Sequence, residues 1–453
     1  MARRRRRVGI STVDCVRAPP PLRIARAGGG HSGLRLLPAG GRLLFAAVAA
    51  ALAPRHHRGS VDRSLAVSRP GHAEIVGAGF GGLVAAIALS ARGWSVRVHE
   101  RRPSLRGEGY GIAIHNNMAR MFAEFGILDA VLAGGMRIDR RDSLDRNGRV
   151  VMTRKTERSP YRIDRQHIVA LLAERALAGG AEIRFGSEVA DAAPEGAVVL
   201  SDGNRLPADL VVAADGINST VRDRLGLLKR RIFGRDRGVR INIPRRPAEI
   251  ASDAAEGTAM IEAWSDKRRV LFCPVTRSEF YVLLTCTVGD RAAATSPIDP
   301  DEWARSFPTL RELFVRMRDE ADWPQSHWAH FQTVRLRRWS KGRVAVLGDA
   351  AHAMAPYLAQ GAGHAMMNAL GLAAAVQDAP TIEGGLAQWE RRERPLTEHT
   401  QRWTRIYGTT MFLPAPLKAI SILVEKLPWV AAQYVRAANH VPTGCDPQWR
   451  RPL

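Results

Sequence analysis

The stretch Ala73-Glu74-Ile75-Val76-Gly77-Ala78-Gly79-Phe80-Gly81-Gly82, continuing into Leu83-Val84-Ala85-Ala86-Ile87-Ala88-Leu89, decides the fold. A short apolar strand ends in glycines at GxGxxG spacing (Gly77, Gly79, Gly82), and a helix-like run follows and stops at Gly93. Residues 95–100 read as a second strand, and the right-handed crossover rule makes the two strands parallel. In such a unit the first glycine permits a tight turn and the second lets the backbone approach a pyrophosphate. The third allows the helix to pack closely on the strand. The free N–H groups and partial positive charge of the helix start then face the phosphates. Glu100 lies 23 residues after Gly77, where a carboxylate accepts ribose hydroxyls; this suits FAD or NAD and counts against NADP at this site.

Working outward, residues 210–214 form a third apolar run before Asp215-Gly216, and residues 344–347 a fourth before Gly348-Asp349 and a long Ala-rich helix. Ligands of doubly wound sheets sit at the carboxyl ends of the strands, so these turns are expected to converge on one cofactor. Between them the texture changes. Val239-Arg240-Ile241-Asn242-Ile243 alternates, as do parts of 269–274 and 280–285, which predicts a one-sided antiparallel sheet inserted into the first domain. The expected fold class is α/β, a Rossmann-like GxGxxG FAD-binding domain with an inserted antiparallel-sheet substrate domain and a helical C-terminal tail. The expected boundaries are 73–135, 161–226 and 340–395 for the cofactor domain, 136–160 and 227–339 for the substrate domain, and 396–453 for the tail. Pro414, Pro416 and Pro428 break that tail.

Composition bounds the alternatives. The 453 residues carry a formal charge of +23, which raises nucleic-acid or anionic-membrane binding until its distribution is examined. Residues 1–70 hold 14 arginines, no lysine and two aspartates, about half of that charge, in a Gly-, Pro- and Ala-rich stretch without apolar period. This stretch reads as a disordered or misassigned extension. Its run at residues 43–53 contains an Ala-x-Ala match but follows too long a leader for a secretory signal. Cys15, Cys273, Cys286 and Cys445 make no CxxC or Cys/His cluster, so free thiols, no metal and a cytoplasmic location are expected. No apolar run reaches the roughly 18–20 residues of a membrane span, so stable membrane insertion is not expected. The hydrophobic tail at residues 412–427 is expected to pack on the flavin domain rather than on a membrane.

The glycine fingerprint alone leaves an NAD-dependent dehydrogenase and a flavoenzyme both open. The later motifs distinguish them. Asp209-Leu210-Val211-Val212-Ala213-Ala214-Asp215-Gly216-Ile217-Asn218-Ser219-Thr220-Val221-Arg222 resembles the Asp-Gly signature of single-component FAD-dependent aromatic-ring hydroxylases, the family of para-hydroxybenzoate and salicylate hydroxylases. Gly342-Arg343-Val344-Ala345-Val346-Leu347-Gly348-Asp349-Ala350-Ala351-His352 resembles that family's Gly-Asp signature, which Pro356 and Gln360-Gly361 continue. The likeness spans about residues 73–405.

The resemblance implies an FAD-dependent monooxygenase that uses NAD(P)H and O2 to hydroxylate a small aromatic or similar ring through a flavin C4a-hydroperoxide. A non-oxygenating FAD-dependent reductase or dehydrogenase on the same fold is the alternative, and a basic nucleic-acid-binding module is a second competitor suggested by charge alone. The implied cofactor-binding residues are Gly77, Ala78, Gly79, Phe80, Gly81, Gly82, Glu100, Arg101, Arg165, Asp215, Gly216, Asp349, Pro356, Gly361, Ala362 and Gly363. Asp349, ending its strand, would accept from a ribityl hydroxyl, and the helix opened by Gly361-Ala362-Gly363 would stabilise negative charge on the flavin pyrimidine ring. Arg165, opening the helix to about residue 178, would meet phosphate or adenosine oxygens, and Ser219 could cap the helix after Asp215.

Three departures stand out: Ala359 and Gly363 where many members have Gly and Asn, and Asn368 where they have Asp. These put substrate placement beside the ring in doubt. His115, His330, His352 and His364 are acid–base candidates, but a packed or surface role is the expectation for each, and no side chain is assigned as catalytic base. Trp264, Cys273, Phe280 and Tyr281 are candidate pocket residues on the substrate sheet, where core packing competes with that role.

Overall fold

The computed structural model describes residues 71–453 apart from 106–110, 156–160, 266, 414, 450 and 452. The expectations for residues 1–70, including Cys15 and the run at 43–53, lie outside the described residues.

Four runs of Val, Ile, Leu and Ala supply the central strands because both faces of a parallel sheet are covered. A six-stranded sheet runs Ser340–Lys341, Val344–Val346, Leu210–Ala213, His72–Val76, Ser95–Glu100 and Glu182–Phe185. All its pairings are parallel except that of Ser340–Lys341 with Val344–Val346. The helix Phe80–Ser90 crosses one face, buried between Arg165–Ala178 and Gly361–Asp378. Its alanines and glycines allow that close approach. Glu74 is the exception in the first strand's apolar run: it is fully buried, and although burial pushes its carboxyl up, His99 and His72 outweigh that and hold it below the ordinary value.

The inserted sheet has seven strands, in the order Ala329–Leu336, Leu228–Pro244, Glu279–Thr287, Arg268–Pro274, Ala259–Trp264, Arg140–Leu144 and Val150–Lys155. It is antiparallel except where Ala259–Trp264 meets Arg140–Leu144. Strict alternation splits its residues between two faces. Val239, Ile241, Val270, Val282 and Leu284 face a core closed by Trp303, Phe307 and Phe314. Met260, Leu271, Cys273, Tyr281 and Leu283 face the opposite way. Two small three-stranded sheets, built from Gly111–Ile114, Gly135–Arg137 and Tyr161–Asp164 and from residues 189–207, complete the frame.

The helix Ile382–Met411 runs straight through the boundary expected at 395/396, with Pro395 inside it. Beyond it, Ala415–Glu425 and Pro428–Val435 fold back; Pro428 begins the second of these, as proline can at a first helical turn. Pro416 lies inside the first of them rather than breaking the chain, and Pro414 lies outside the described residues. Leu417, Ile420, Leu423 and Trp429 on this tail are exposed, so its packing on the long helix is one-sided. Among the described residues no helix is long and apolar enough to cross a membrane.

Candidate active site

The carboxyl ends of the parallel strands open into a cavity of about 590 Å³ that also reaches the inserted sheet. At its phosphate-sized end the glycines divide by task. A Cβ on Gly82 would stand 1.9 Å from the Gly77 carbonyl oxygen, and one on Gly77, whose φ is +100°, would stand 2.6 Å from that of Ala214. These two close the strand, turn and helix upon each other. Gly79 and Gly216 are different: both border the cavity, and a Cβ on either would meet no protein atom within 4 Å. Gly81 also lines the cavity, pressed against Leu347. Gly79 precedes the helix without any side-chain cap, which leaves the first N–H groups for a ligand.

The acids stand around this turn. Glu100 accepts at Oε2 from the N–H of buried Ala78 and at Oε1 from that of Arg102, both at 3.0 Å. The fingerprint turn is thereby fixed to the end of the second strand. Asp215 accepts at Oδ2 from the Val221 N–H at 3.3 Å, while its buried Oδ1 has no partner among the described residues. Burial pushes its carboxyl above the ordinary value, against the opposing pull of Ser219. Ser219 caps the Thr220–Arg224 helix as expected, accepting from the Arg222 N–H at 3.0 Å. The Arg165 guanidinium lies 5.2 Å over the Phe80 ring, and both line the cavity. Arg101 is exposed and does not line it.

The strand at 344 stops at Val346, so Asp349 does not end it; Gly348, at φ +64°, turns the chain and Asp349 opens the four-residue helix Asp349–His352. Asp349, Pro356, Gly361 and Ala362 line the cavity, and a Cβ on Gly361 would meet nothing within 4 Å. The Gly361–Asp378 helix, like the first, starts without a side-chain cap. Two bare helix starts and three bare glycines around one cavity, beside an orphaned carboxylate oxygen, fit a long dinucleotide such as FAD.

The departures from the family pattern resolve into packing. Gly363 points away from the cavity: its Cβ would stand 3.0 Å from Asn117 Nδ2, and that amide donates to Gln360 Oε1 at 3.0 Å. A side chain from another helix therefore fills the space. Ala359 takes the left-handed conformation at φ 51°, where glycine is the easier fit. Asn368 is buried, with Nδ2 2.9 Å from His352 Nε2, and does not line the cavity.

His352 Nε2 also accepts from the Gly348 N–H, which makes the ring neutral, in keeping with burial pushing it down to about 4. His364 is likewise buried and held well below the ordinary range by burial and by His352. His330 bonds the Gly234 carbonyl away from the cavity. His115 alone of the four borders it, pushed down to about 3 by burial and then by the Arg162 charge.

The far wall is one face of the inserted sheet, and it is cationic. Arg141, Arg240 and Arg269 project from three strands, joined by Arg162 from Tyr161–Asp164. Glu262, fully buried, takes Arg141 and Arg269 together; burial opposes its ionisation, but the two guanidiniums outweigh that and hold it low. Tyr281, for which core packing competed with a pocket role, lines the wall, and Cys273 packs behind it, its thiol pushed up to about 11 by burial. Phe280 falls on the opposite face against Phe272 and Arg245, and Trp264 does not line the cavity. Tyr357 and Tyr407 close the side, while Tyr434 and Val435 bring the tail into the wall. The arginines went unassigned in the sequence. The local pattern was regular: Arg240 occupies the polar phase of the alternation at residues 239–243, which marks the face opposite the apolar core.

Residues 72–401 match the family described as "FAD binding domain". A 2-heptyl-3-hydroxy-4(1H)-quinolone synthase of Mycobacteroides abscessus is 38% identical over 346 residues, covering 73% of this chain and 88% of that protein. A 3-amino-4-hydroxybenzoate 2-monooxygenase of Streptomyces cremeus is 27% identical, covering 78% of this chain and 89% of its own. Among solved structures, the tetrameric form of 2-methyl-3-hydroxypyridine-5-carboxylic acid oxygenase is similar with a TM-score of 0.73 at 32% identity, over 83% of this chain and 98% of that one. With the cavity geometry, these similarities place the chain in the FAD-binding-domain family, as an FAD-dependent monooxygenase.

Proposed function

We propose that this chain hydroxylates a small aromatic or similar ring, taking electrons from NAD(P)H and one oxygen atom from O2, in the cytoplasm. The observation that carries the reading is the single cavity joining the glycine cradle to one face of the inserted sheet. A cofactor and a ring substrate would share that enclosure. When bound, FAD supplies the redox and oxygen-activating chemistry.

The chain's own residues do the rest. Gly77, Ala78, Gly79 and Gly82, with Phe80, Gly81 and Arg165, would hold the pyrophosphate side. Glu100 would accept from the adenosine ribose, Asp349 from the ribityl chain, and Asp215-Gly216 would border the phosphates. The start of the Gly361–Asp378 helix would stabilise negative charge beside the pyrimidine ring, with Ala362 and Pro356 shaping that wall. Gly363, with Asn117 where a Cβ would be, would contribute its backbone N–H alone, and Arg101, exposed at the end of the second strand, would act at the adenosine end. Tyr357, Tyr407 and Tyr434 exclude water from the sheet side.

The test is NAD(P)H oxidation by the FAD-loaded protein under labelled O2, over phenols, benzoates and hydroxyquinolines. One labelled oxygen in the product supports the reading. Substrate-stimulated NAD(P)H oxidation with no oxygen in any product would replace it with a reductase.

A further inference from the structure

The tail helices Ala415–Glu425 and Pro428–Val435 have two unlike sides. Glu425, Ala431, Tyr434 and Val435 turn inward and line the cavity, and Thr410 on the long helix donates to Glu425 Oε1 at 3.5 Å. On the other side Leu417, Ile420, Val424 and Leu427 follow one another at spacings of three, four and three residues, a single helical stripe, with Leu423 beside them. All five are exposed, Leu423 to 64%, and Trp429 at the start of the second helix reaches 67%. Apolar side chains scattered singly over a surface need no explanation, but a stripe of them on one element does.

The rim of this stripe is cationic. Residues 401–440 hold five Lys or Arg and a single acidic residue, Glu425, which faces the cavity. Arg402, Arg405, Lys426 and Arg436 are exposed and make no ion pair among the described residues. His399 is held below its ordinary value by burial and then by the charges of Arg436 and Arg402, which sets both guanidiniums at this end of the long helix. One residue on from Arg402, Trp403 meets Trp429 edge-on at 5.6 Å, so the exposed indole and the cations share one surface.

An apolar stripe with a cationic rim discriminates between occupants. A second copy in a two-fold interface would present the same patch, setting rim cations against rim cations with no exposed carboxylate in residues 401–440 to answer them. The surface of an anionic bilayer satisfies both parts. Aliphatic side chains enter the acyl boundary, an indole sits at headgroup level, and Lys and Arg meet lipid phosphates. Among the described residues no helix is long and apolar enough to span, so the tail would lie on the bilayer.

We propose that the outer side of the tail docks on a bilayer surface that carries anionic lipid, with Leu417, Ile420, Leu423, Leu427 and Trp429 at the acyl boundary and the rim cations against the headgroups. Since the inner side of the same helices is cavity wall, docking brings that wall within about one helix diameter, roughly 10 Å, of the lipid. The contact concerns binding alone and does not depend on the reaction proposed above.

Co-sedimentation of the FAD-loaded full chain with vesicles, of phosphatidylcholine alone and of phosphatidylcholine mixed with phosphatidylglycerol, tests it. The mixed vesicles should bind about tenfold more tightly. Residues 1–70, with 14 arginines, would attract them by charge alone, so variants are compared in the full chain, where that contribution is constant. Leu423→Ser with Leu427→Ser, checked for unchanged FAD content and urea midpoint, should weaken binding to mixed vesicles about tenfold. Arg402→Glu with Lys426→Glu, which leaves the stripe intact, should weaken it by a similar factor. A wild type that binds neither vesicle overturns the proposal, and so does either variant binding as the wild type does. Analytical ultracentrifugation closes the remaining case: a dimer of the full chain that the two serines split into monomers would give the stripe to a second copy and overturn the lipid assignment.

Discussion

Gly79 and Gly82 are three residues apart, yet the space around them is opposite in kind. Gly79 has an extended backbone open to any residue and empty space where a side chain would go. Gly79→Val should therefore fold with nearly unchanged stability but bind FAD at least tenfold more weakly, about 1.4 kcal/mol, by flavin fluorescence titration. Gly82→Ala drives a methyl into a backbone carbonyl and should cost about 3 kcal/mol in denaturant unfolding of the FAD-free protein. Equal effects of the two on stability would contradict the division of labour.

Asp236 offers a pH test at the same scale. Burial, opposed by the Arg269 charge, raises its carboxyl to about 6. A folded-state value above the unfolded one means the folded protein binds the extra proton. The stability cost of ionising Asp236 is absent below about pH 4 and complete above about pH 6, on the order of 2–3 kcal/mol. Over that window the wild type should lose stability relative to Asp236→Asn, measured by urea unfolding at each pH. Parallel profiles would refute it.

At the scale of elements, the Asp-Gly and Gly-Asp turns are joined by a single fully buried side chain. Arg222 donates from Nη1 to the Ile217 carbonyl at 3.0 Å and to that of Ala350 at 3.2 Å, while Nε pairs with Asp223. Arg222→Met removes the donor that ties the Ala350 carbonyl to the Ile217 turn, leaving Ile217 to Arg231 alone, and should cost roughly 3 kcal/mol, with faster FAD release because both turns border its site. Stopped-flow release and chemical denaturation check the two parts; a stable variant with unchanged release would remove Arg222 from the account. The long helix Ile382–Met411 plays a similar part, with Gln401 donating to the Val334 and Ala353 carbonyls and Thr404 to that of Ala355. Pro395 lies inside this helix, where proline removes a backbone hydrogen bond. Packing overrides it: Trp389 is buried, and Arg394 bonds the carbonyls of Leu336 and Arg337.

Over the whole molecule, what was legible depended on how far a signal had to travel along the chain. The glycine cradle could be read because each turn encodes its own geometry within a few residues: Gly77 sets a φ, Gly82 a contact distance, Ser219 a cap. The strand residues Ser95–Glu100 and the helix Arg165–Ala178 could be read for the same reason. The cationic wall could not be assigned. Arg141, Arg162, Arg240 and Arg269 come from four strands, and alternation shows that a sheet has two faces without showing which face another domain encloses. Asn117 filling the space beside Gly363 is equally non-local. The Asn368 departure concerns a buried contact with His352 rather than the substrate side of the cavity.

The account stands on one enclosure, formed by three distant turns and two uncapped helix starts around a single flavin. Flavin content of the purified full chain, measured after release and separation from the protein, tests this most directly. The result expected is one FAD per chain, falling to a small fraction in Gly79→Val at equal folded protein. A folded chain that carries no FAD and takes none up from excess cofactor would contradict it.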